Sequence, residues 1–551
     1  MKNYIKLRNF IFALSGIIAL QGCETMELDL LDSPNALNET NANPEFYVNS
    51  IQLDLRDFFY EVSEPGQEVT RILHMFGPLY QNAYAPSQLN DAWNIAYAGI
   101  LPDVRSLKKY AEEDGLHTHY AIGQIAEAYV MATLVDYLGD IPYSESNDPT
   151  IFNPAVDSGK DNYASLITLL DSAIANLNLE EKKLPDNDFY YGGDEAKWIK
   201  FANTLKLKLY LQSRLIEESS SVSEITSIVG TGNFISTAAD DFQFQYGSND
   251  TNPDSRHPIF ARNFLEGTGS EDYQSNTFMQ YISSDTDSED PRRRYYFYRQ
   301  RAVGPQNTVE QSCFGTLPPT HVGFTNIYCN LNDFATYPGY WGRDHGYDFG
   351  IPPDTTLRTA WGVYPVGGQF DDNSFTPIAD RSIGTKGAGI EPIMLSSYVH
   401  FMLAEMSLET SFSGDASALL EEGIRQSISK VMNFRSDLAD ANYVPTSDDV
   451  DAYVTEIMGR YTAASADGKL NIIEKEYFKA LYGNGVEAYN TYRRTGKPDD
   501  GQPLVREPVN NYLRSFYYPD DYTLFNSNAT QKDDVTTKVF WDNNPDTGFI
   551  N

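Results

Sequence analysis

Basic residues are scarce in this chain: 41 Lys and Arg stand against 77 Asp and Glu, a formal charge of −36 over 551 residues. A field of that sign repels nucleic acid and anionic polysaccharide, whose phosphates and sulfates need clustered Lys and Arg, so no nucleic-acid partner is expected. Long apolar runs are lacking too. Beyond the first 22 residues none reaches 18, which excludes a later helical membrane span. Catalytic signatures are missing: there is no G-x-S-x-G elbow, no H-E-x-x-H helix and no P-loop. His117-x-His119 has no Cys or third His nearby and reads as the exposed start of a helix. Asp344-His345 lacks a nucleophile in a distinctive context. Asp467-Gly468 with Glu474 matches half of an EF-hand loop, but Ala463 and Ser465 stand where calcium needs oxygens. The acidic run Asp285, Asp287, Glu289, Asp290 reads as a solvated turn. No cofactor, metal site or catalytic residue is expected, although 77 acids leave a carboxylate pair for glycoside hydrolysis open as an alternative.

Cysteine is almost absent, with three in the chain, and the first stands at an informative place. Lys2, Lys6 and Arg8 precede an apolar stretch from Phe10 to Leu20, closed by Leu20-Gln21-Gly22-Cys23. A basic start and an h-region too short to span a bilayer read as a secretory signal over residues 1–22. The Leu-x-Gly-Cys ending resembles a bacterial lipobox, which implies that Cys23 becomes the acylated first residue of the mature chain. Several acyl chains on one residue anchor stably, at about 0.8 kcal/mol per buried CH2. Acidic Glu24, Glu27 and Asp29 follow, a pattern similar to the surface-export signal of Bacteroidetes lipoproteins. A lipid-anchored protein on the extracellular side of the outer membrane is expected. Cys313 and Cys329 then remain as an even pair in an exported chain, which favours a disulfide over two buried thiols. Closing that loop contributes on the order of 3 kcal/mol.

Residues 23–45 are rich in Asn, Asp, Pro and Thr and read as an extended tether. Helical periodicity follows. Ile122, Ile125, Ala126, Tyr129, Ala132 and Thr133 share one stripe, stopped by Gly139-Asp140-Ile141-Pro142. Tyr163 to Leu177 forms a second helix, with Leu166, Leu169, Leu170 and Ile174 inward, and Trp198, Ala202, Leu205 and Leu209 line a third. The pattern resumes with Leu395, Tyr398, Val399, Met402 and Met406, then Ile473, Tyr477, Ala480 and Leu481. The expected fold is mainly α: a tetratricopeptide-like helical-hairpin scaffold over about 46–234 and 391–495, within one domain spanning 46–551. Between about 235 and 390, Gly, Pro, Asn and aromatics crowd together and the period disappears. This stretch reads as a loop-rich insert containing short strands, and loops on a rigid scaffold are where binding usually resides.

The chain carries 38 Tyr. Their densest cluster is Tyr337-Pro338-Gly339-Tyr340-Trp341-Gly342-Arg343-Asp344-His345-Gly346-Tyr347-Asp348. Sugar binding needs this mixture: flat rings for the C–H face, and Arg or Asp forks for paired hydroxyls. Tyr340, Trp341, Arg343, Asp344 and Tyr347 are therefore the candidate ligand-binding residues. The alternative is that these rings pin the insert to the helices. Two rings burying about 100 Å2 each give roughly 5 kcal/mol gross, hence a millimolar to micromolar Kd after ordering costs. Trp341→Ala is expected to weaken retention severalfold and to leave unfolding nearly unchanged if the ring meets ligand. Tyr80, Tyr84 and Trp361 are lesser candidates that read as core or turn residues.

Several segments together resemble the SusD/RagB nutrient-binding lipoproteins, in the branch called SusD-like 2. They are Gly139-Asp140-Ile141-Pro142-Tyr143, Asp186-x-x-x-Tyr190-x-Gly192-Gly193-Asp194 leading into Lys197-Trp198-Ile199-Lys200-Phe201-Ala202-Asn203, and Asp290-Pro291-Arg292. Met394-Leu395-Ser396-Ser397-Tyr398 with Ala404-Glu405, and Asn484-Gly485-Val486-Glu487-Ala488-Tyr489 through Arg493-Arg494-Thr495-Gly496, complete the set. The resemblance implies four tetratricopeptide-like helix pairs supporting a loop-rich part. It also implies a SusC-like TonB-dependent transporter as partner and a job without chemistry: capture of oligosaccharide, or of peptide in a RagB-like alternative. The Asp, Glu and Arg of these helical signatures are expected to cap and cross-link helices and not to touch ligand.

Overall fold

The computed structural model describes residues 43–146, 148–264, 270, 272–302, 339–348, 356–378, 380–504, 512–546 and 549–550. Cys23, the signal, nearly all of the expected tether, and Cys313 with Cys329 lie outside the described residues.

The first described helix, α1, spans Pro44–Val69 and so takes in the last residues assigned to the tether. Past short turns between Tyr80 and Ile100, the next long helices are α2 (Leu101–Asp114), α3 (His117–Leu138), α4 (Gly159–Leu177) and α5 (Glu195–Thr231). After a short helix, α6 (Asn276–Ser283), the scaffold resumes with α7 (Ser396–Glu409), α8 (Ala416–Asn433), α9 (Ser447–Ala463), α10 (Ala466–Ala480) and α11 (Gly485–Thr495), and α12 is Asp520–Phe525. Sequence neighbours pack as hairpins: α3 on α4, α4 on α5, α7 on α8 and α9 on α10.

Helix α3 is buried almost all round. That pattern marks a helix enclosed by others, here α1, α2 and α4. Gly139 ends it with φ +89°, a conformation that costs a glycine little. In α4 the inward side is narrower than the periodicity implies: Leu166 and Leu170 are buried, whereas Leu169 and Ile174 are half-buried. Trp198, Ala202, Leu205 and Leu209 of α5 are fully buried, and Asp194 caps its first turn. His117 opens α3 as expected, but His119 is buried, with Nε2 3.1 Å from Glu45.

The helical signatures hold helices together. Glu405 on α7 accepts from Arg214 Nε of α5 at 2.9 Å and from Arg494 of α11 at 2.7 and 2.6 Å, all buried. Lys208 pairs with Glu487 at 2.6 Å. Asp136 accepts from the Trp541 indole at 2.9 Å and from Asn490 at 2.7 Å. Arg292 joins Asp290 to Glu476 at 2.7 and 3.1 Å. The Asn484-Gly485 motif marks a close crossing. A Cβ on Gly485 would collide with the Ser63 carbonyl oxygen, and one on Gly66 with the Gly485 oxygen, so α1 and α11 meet backbone to backbone.

Between α5 and α7 the regular structure is short. β1 (Phe242–Gln245) pairs antiparallel with β4 (Ile390–Met394), and β2 (Phe297–Tyr298) with β3 (Ala360–Trp361). Besides α6, the described helices here are Pro258–Asn263, Arg293–Tyr296 and a single turn at Ala238–Asp240.

Candidate functional site

Residues 339–348 are stitched into the fold by their backbone. Ser275 and Arg343 form a parallel bridge, and Leu73 and Gln274 an antiparallel one. Arg343 N donates to Gln274 O at 3.1 Å, Asn276 N to Arg343 O at 2.9 Å, and Thr359 N to Trp341 O at 3.2 Å. A Cβ on Gly342 would collide with the Gln274 carbonyl, so only glycine permits this approach. The segment runs as one irregular rung beside residues 273–276, which in turn lie beside 73–74.

That setting buries most of the expected ligand residues. Tyr340 is 1 % exposed, Trp341 2 %, Arg343 0 % and Asp344 1 %. Tyr340 lies beneath Arg299, 4.5 Å from its ring centroid, and its hydroxyl reaches Asp371 at 3.3 Å. Burial pushes its pKa up to about 12. Arg301 stands 5.1 Å from the Trp341 ring. Asp344 accepts from Asn276 at 2.8 Å; burial raises its pKa to about 6 against the opposing hydrogen bonds of Asn276 and Gln502. His345 faces the Tyr80 hydroxyl at 3.2 Å, and burial beside Arg71 and His74 keeps its imidazole neutral. Tyr80, Tyr84 and Trp361 are buried.

Tyr347 is half-buried. It stands at the place where this network reaches solvent. Arg343 lies 4.3 Å from the Tyr273 ring, 5.9 Å from Tyr347 and 6.0 Å from Phe76. Burial lowers its pKa to about 10, against the attraction of Tyr347, Asp348 and Asp344. Phe76 is 39 % exposed and packs edge-on to His74 at 4.5 Å and to Tyr273 at 6.1 Å. Arg358 also covers Tyr273, at 3.7 Å. The structure thus joins Arg343 and Tyr347 to two aromatics that the sequence reading did not single out, Phe76 and Tyr273. Phe76-Gly77-Pro78 carried a usable signal, an aromatic at the mouth of a Gly-Pro turn. An apolar ring edge and a phenol on one rim, backed by the buried Arg343 guanidinium, can take a polyol by stacking and by hydrogen bonds to the phenol. Among the described residues no group of three His, Cys, Asp or Glu is placed to hold a metal ion.

The fold is shared with solved proteins. A chitin-binding SusD homologue of Flavobacterium johnsoniae superposes with a TM-score of 0.64 at 17 % identity, covering 91 % of this chain and 100 % of its own. A SusD/RagB family protein of Bacteroides thetaiotaomicron gives 0.65 at 18 % identity, over 92 % and 100 %. A SusD homologue of Bacteroides fragilis gives 0.64 at 19 %, over 91 % and 99 %. No curated protein matches the chain. The family model SusD-like_2, described as starch-binding and associating with the outer membrane, matches residues 35–332 and 361–519. With most of its length matched by that model, and its helices laid out as in those homologues, this chain belongs to the SusD-like family.

Proposed function

We infer that this protein is a cell-surface lipoprotein that captures oligosaccharide and passes it, chemically unchanged, to a SusC-like TonB-dependent transporter in the outer membrane. Membership of a family described as starch-binding and outer-membrane-associated carries the reading. The half-exposed Phe76 and half-buried Tyr347 beside Arg343 supply a rim of the right chemistry. The lipobox at Cys23 supplies the anchor. Tyr340, Trp341 and Asp344 support the rim from behind, holding the backbone that presents Arg343 and Tyr347.

Affinity electrophoresis on neutral glucans, mannans, fructans and soluble chitin oligomers tests the capture. Retention by at least one glycan, weakened severalfold in Phe76→Ala, is expected. Retention by none, together with heat from a peptide mixture in calorimetry, transfers the reading to peptides. New reducing ends from the retained glycan would overturn binding without chemistry. Cys23→Ser is expected to move the protein from the membrane fraction to the soluble one.

A further inference from the structure

A cavity of about 230 Å3 opens where the Arg293–Tyr296 turn of the insert meets the loop between α8 and α9. Tyr443, Arg294, Glu289, Asn442 and Asp449 line it with Val444. Its central group is Arg294, whose side chain is 14 % exposed. The guanidinium lies 4.6 Å from the Tyr443 ring centroid. Nη1 is fixed by donation to Asp371 O at 3.0 Å and to Asn373 Oδ1 at 3.1 Å. Nη2 makes no hydrogen bond among the described residues, and Nε has only Glu289 at 3.9 Å. This is a rigid, mostly buried fork with one edge unspent, backed by an aromatic.

The signs around the cavity select its occupant. Glu289, which Arg293 pairs, and Asp449, which accepts from Thr446, are carboxylates on the rim. Asp449 is held below the usual carboxylate range by the Thr446 backbone amide and hydroxyl, so it stays ionised. An anion facing Arg294 would meet both of them, and a cation facing them would meet Arg294. A neutral polyol satisfies all three, because each hydroxyl both donates and accepts. The volume lies below the 300–1,000 Å3 typical of drug-sized ligands, which limits the occupant to about one ring. We propose that the cavity formed by Tyr443, Arg294, Glu289, Asn442 and Asp449 is a binding subsite for a single neutral sugar ring, built from residues other than the Phe76 rim. Its ligand class rests on the glycan reading above, whereas its location does not. Asp371 ties the two places together, since it accepts from Arg299 at 2.7 Å and from Tyr340 at 3.3 Å while its backbone holds Arg294.

Hydrogen–deuterium exchange by mass spectrometry on the full mature chain tests this, with glucose, galactose, mannose and N-acetylglucosamine each at about 100 mM, well above a single-ring Kd. Severalfold slower exchange in peptides covering 289–296 and 440–449 is expected with at least one neutral sugar. Glucuronate and glucosamine are expected to protect less. Arg294→Lys, which keeps the charge but loses the fork, and Asn442→Ala, on the exposed loop, should both abolish the protection, Asn442→Ala with unfolding unchanged. Unaltered exchange at 440–449 with every sugar overturns the subsite, as does equal protection by glucuronate or protection that survives both substitutions. Protection confined to 73–80 overturns the subsite and leaves the Phe76 rim standing; protection confined to 440–449 supports the subsite and removes the rim.

Discussion

The helical scaffold and the 339–348 segment bury the same residue types to different ends. In the scaffold, Glu405 is fully buried, yet Arg494 and Arg214 outweigh the burial and draw its pKa below the ordinary range. Asp290 of the insert, joined through Arg292 to Glu476 of α10, is treated likewise. In the 339–348 segment the balance is reversed. Burial carries Asp344 up to about 6 and Arg343 down to about 10. Full pairing locks helices at fixed distances, whereas around Arg343, behind the half-exposed Phe76, burial prevails over the neighbouring charges. The comparison separates charge that builds the frame from charge placed beside a rim.

The largest effect is expected from breaking the frame. Glu405→Ala strands two buried guanidiniums and should cost on the order of 3–5 kcal/mol in denaturant unfolding. A loss below about 1 kcal/mol, typical of exposed pairs, would erase the distinction. Trp341→Ala comes next. With the ring 2 % exposed, about 3 kcal/mol of stability should be lost, and weakened glycan retention without that loss would return the ring to the ligand. Gly485→Ala forces a Cβ into the Ser63 carbonyl, for roughly 2 kcal/mol, read as a lowered denaturation midpoint.

Asp344→Asn sharpens the contrast through pH. The folded pKa of about 6 lies above the unfolded value, so the folded state holds its proton longer. Stability from this group is intact below the unfolded pKa and falls as pH rises towards 6. The variant should therefore match the parent near pH 4 and exceed it near pH 7 by on the order of 2 kcal/mol; a pH-independent difference would remove the claim. Phe76→Ala should have the smallest effect on stability, within about 1 kcal/mol because the ring is already 39 % exposed, while retention drops severalfold.

Much of the scaffold was legible because period-3.6 stripes survive in the order of residues, as around Ile122 to Thr133 and Trp198 to Leu209. The signature acids and bases were legible as helix cross-links, and Glu405 and Arg494 are such a pair. The site was harder to read. The cluster at Tyr340 to Tyr347 is rich in ring and fork chemistry, but composition does not say which side faces water. Backbone pairing with 274–276 turned Tyr340 and Trp341 inward and left Tyr347 at the rim. Tyr273 and Phe76 reach Arg343 from 70 and 267 residues away in the chain, which no local pattern reports. His119 reads as a surface residue because its partner Glu45 stands 74 residues away in the chain.

The order of residues alone determined the acidic field, the helical character and the change to loops after α5. These are local or additive properties, set by spacing and by counts. Tertiary structure decided which rings are buried, which carboxylates are paired and where Arg294 and Tyr443 enclose a cavity. Burial and pKa depend on neighbours brought together from distant parts of the chain, and only the packed fold supplies them.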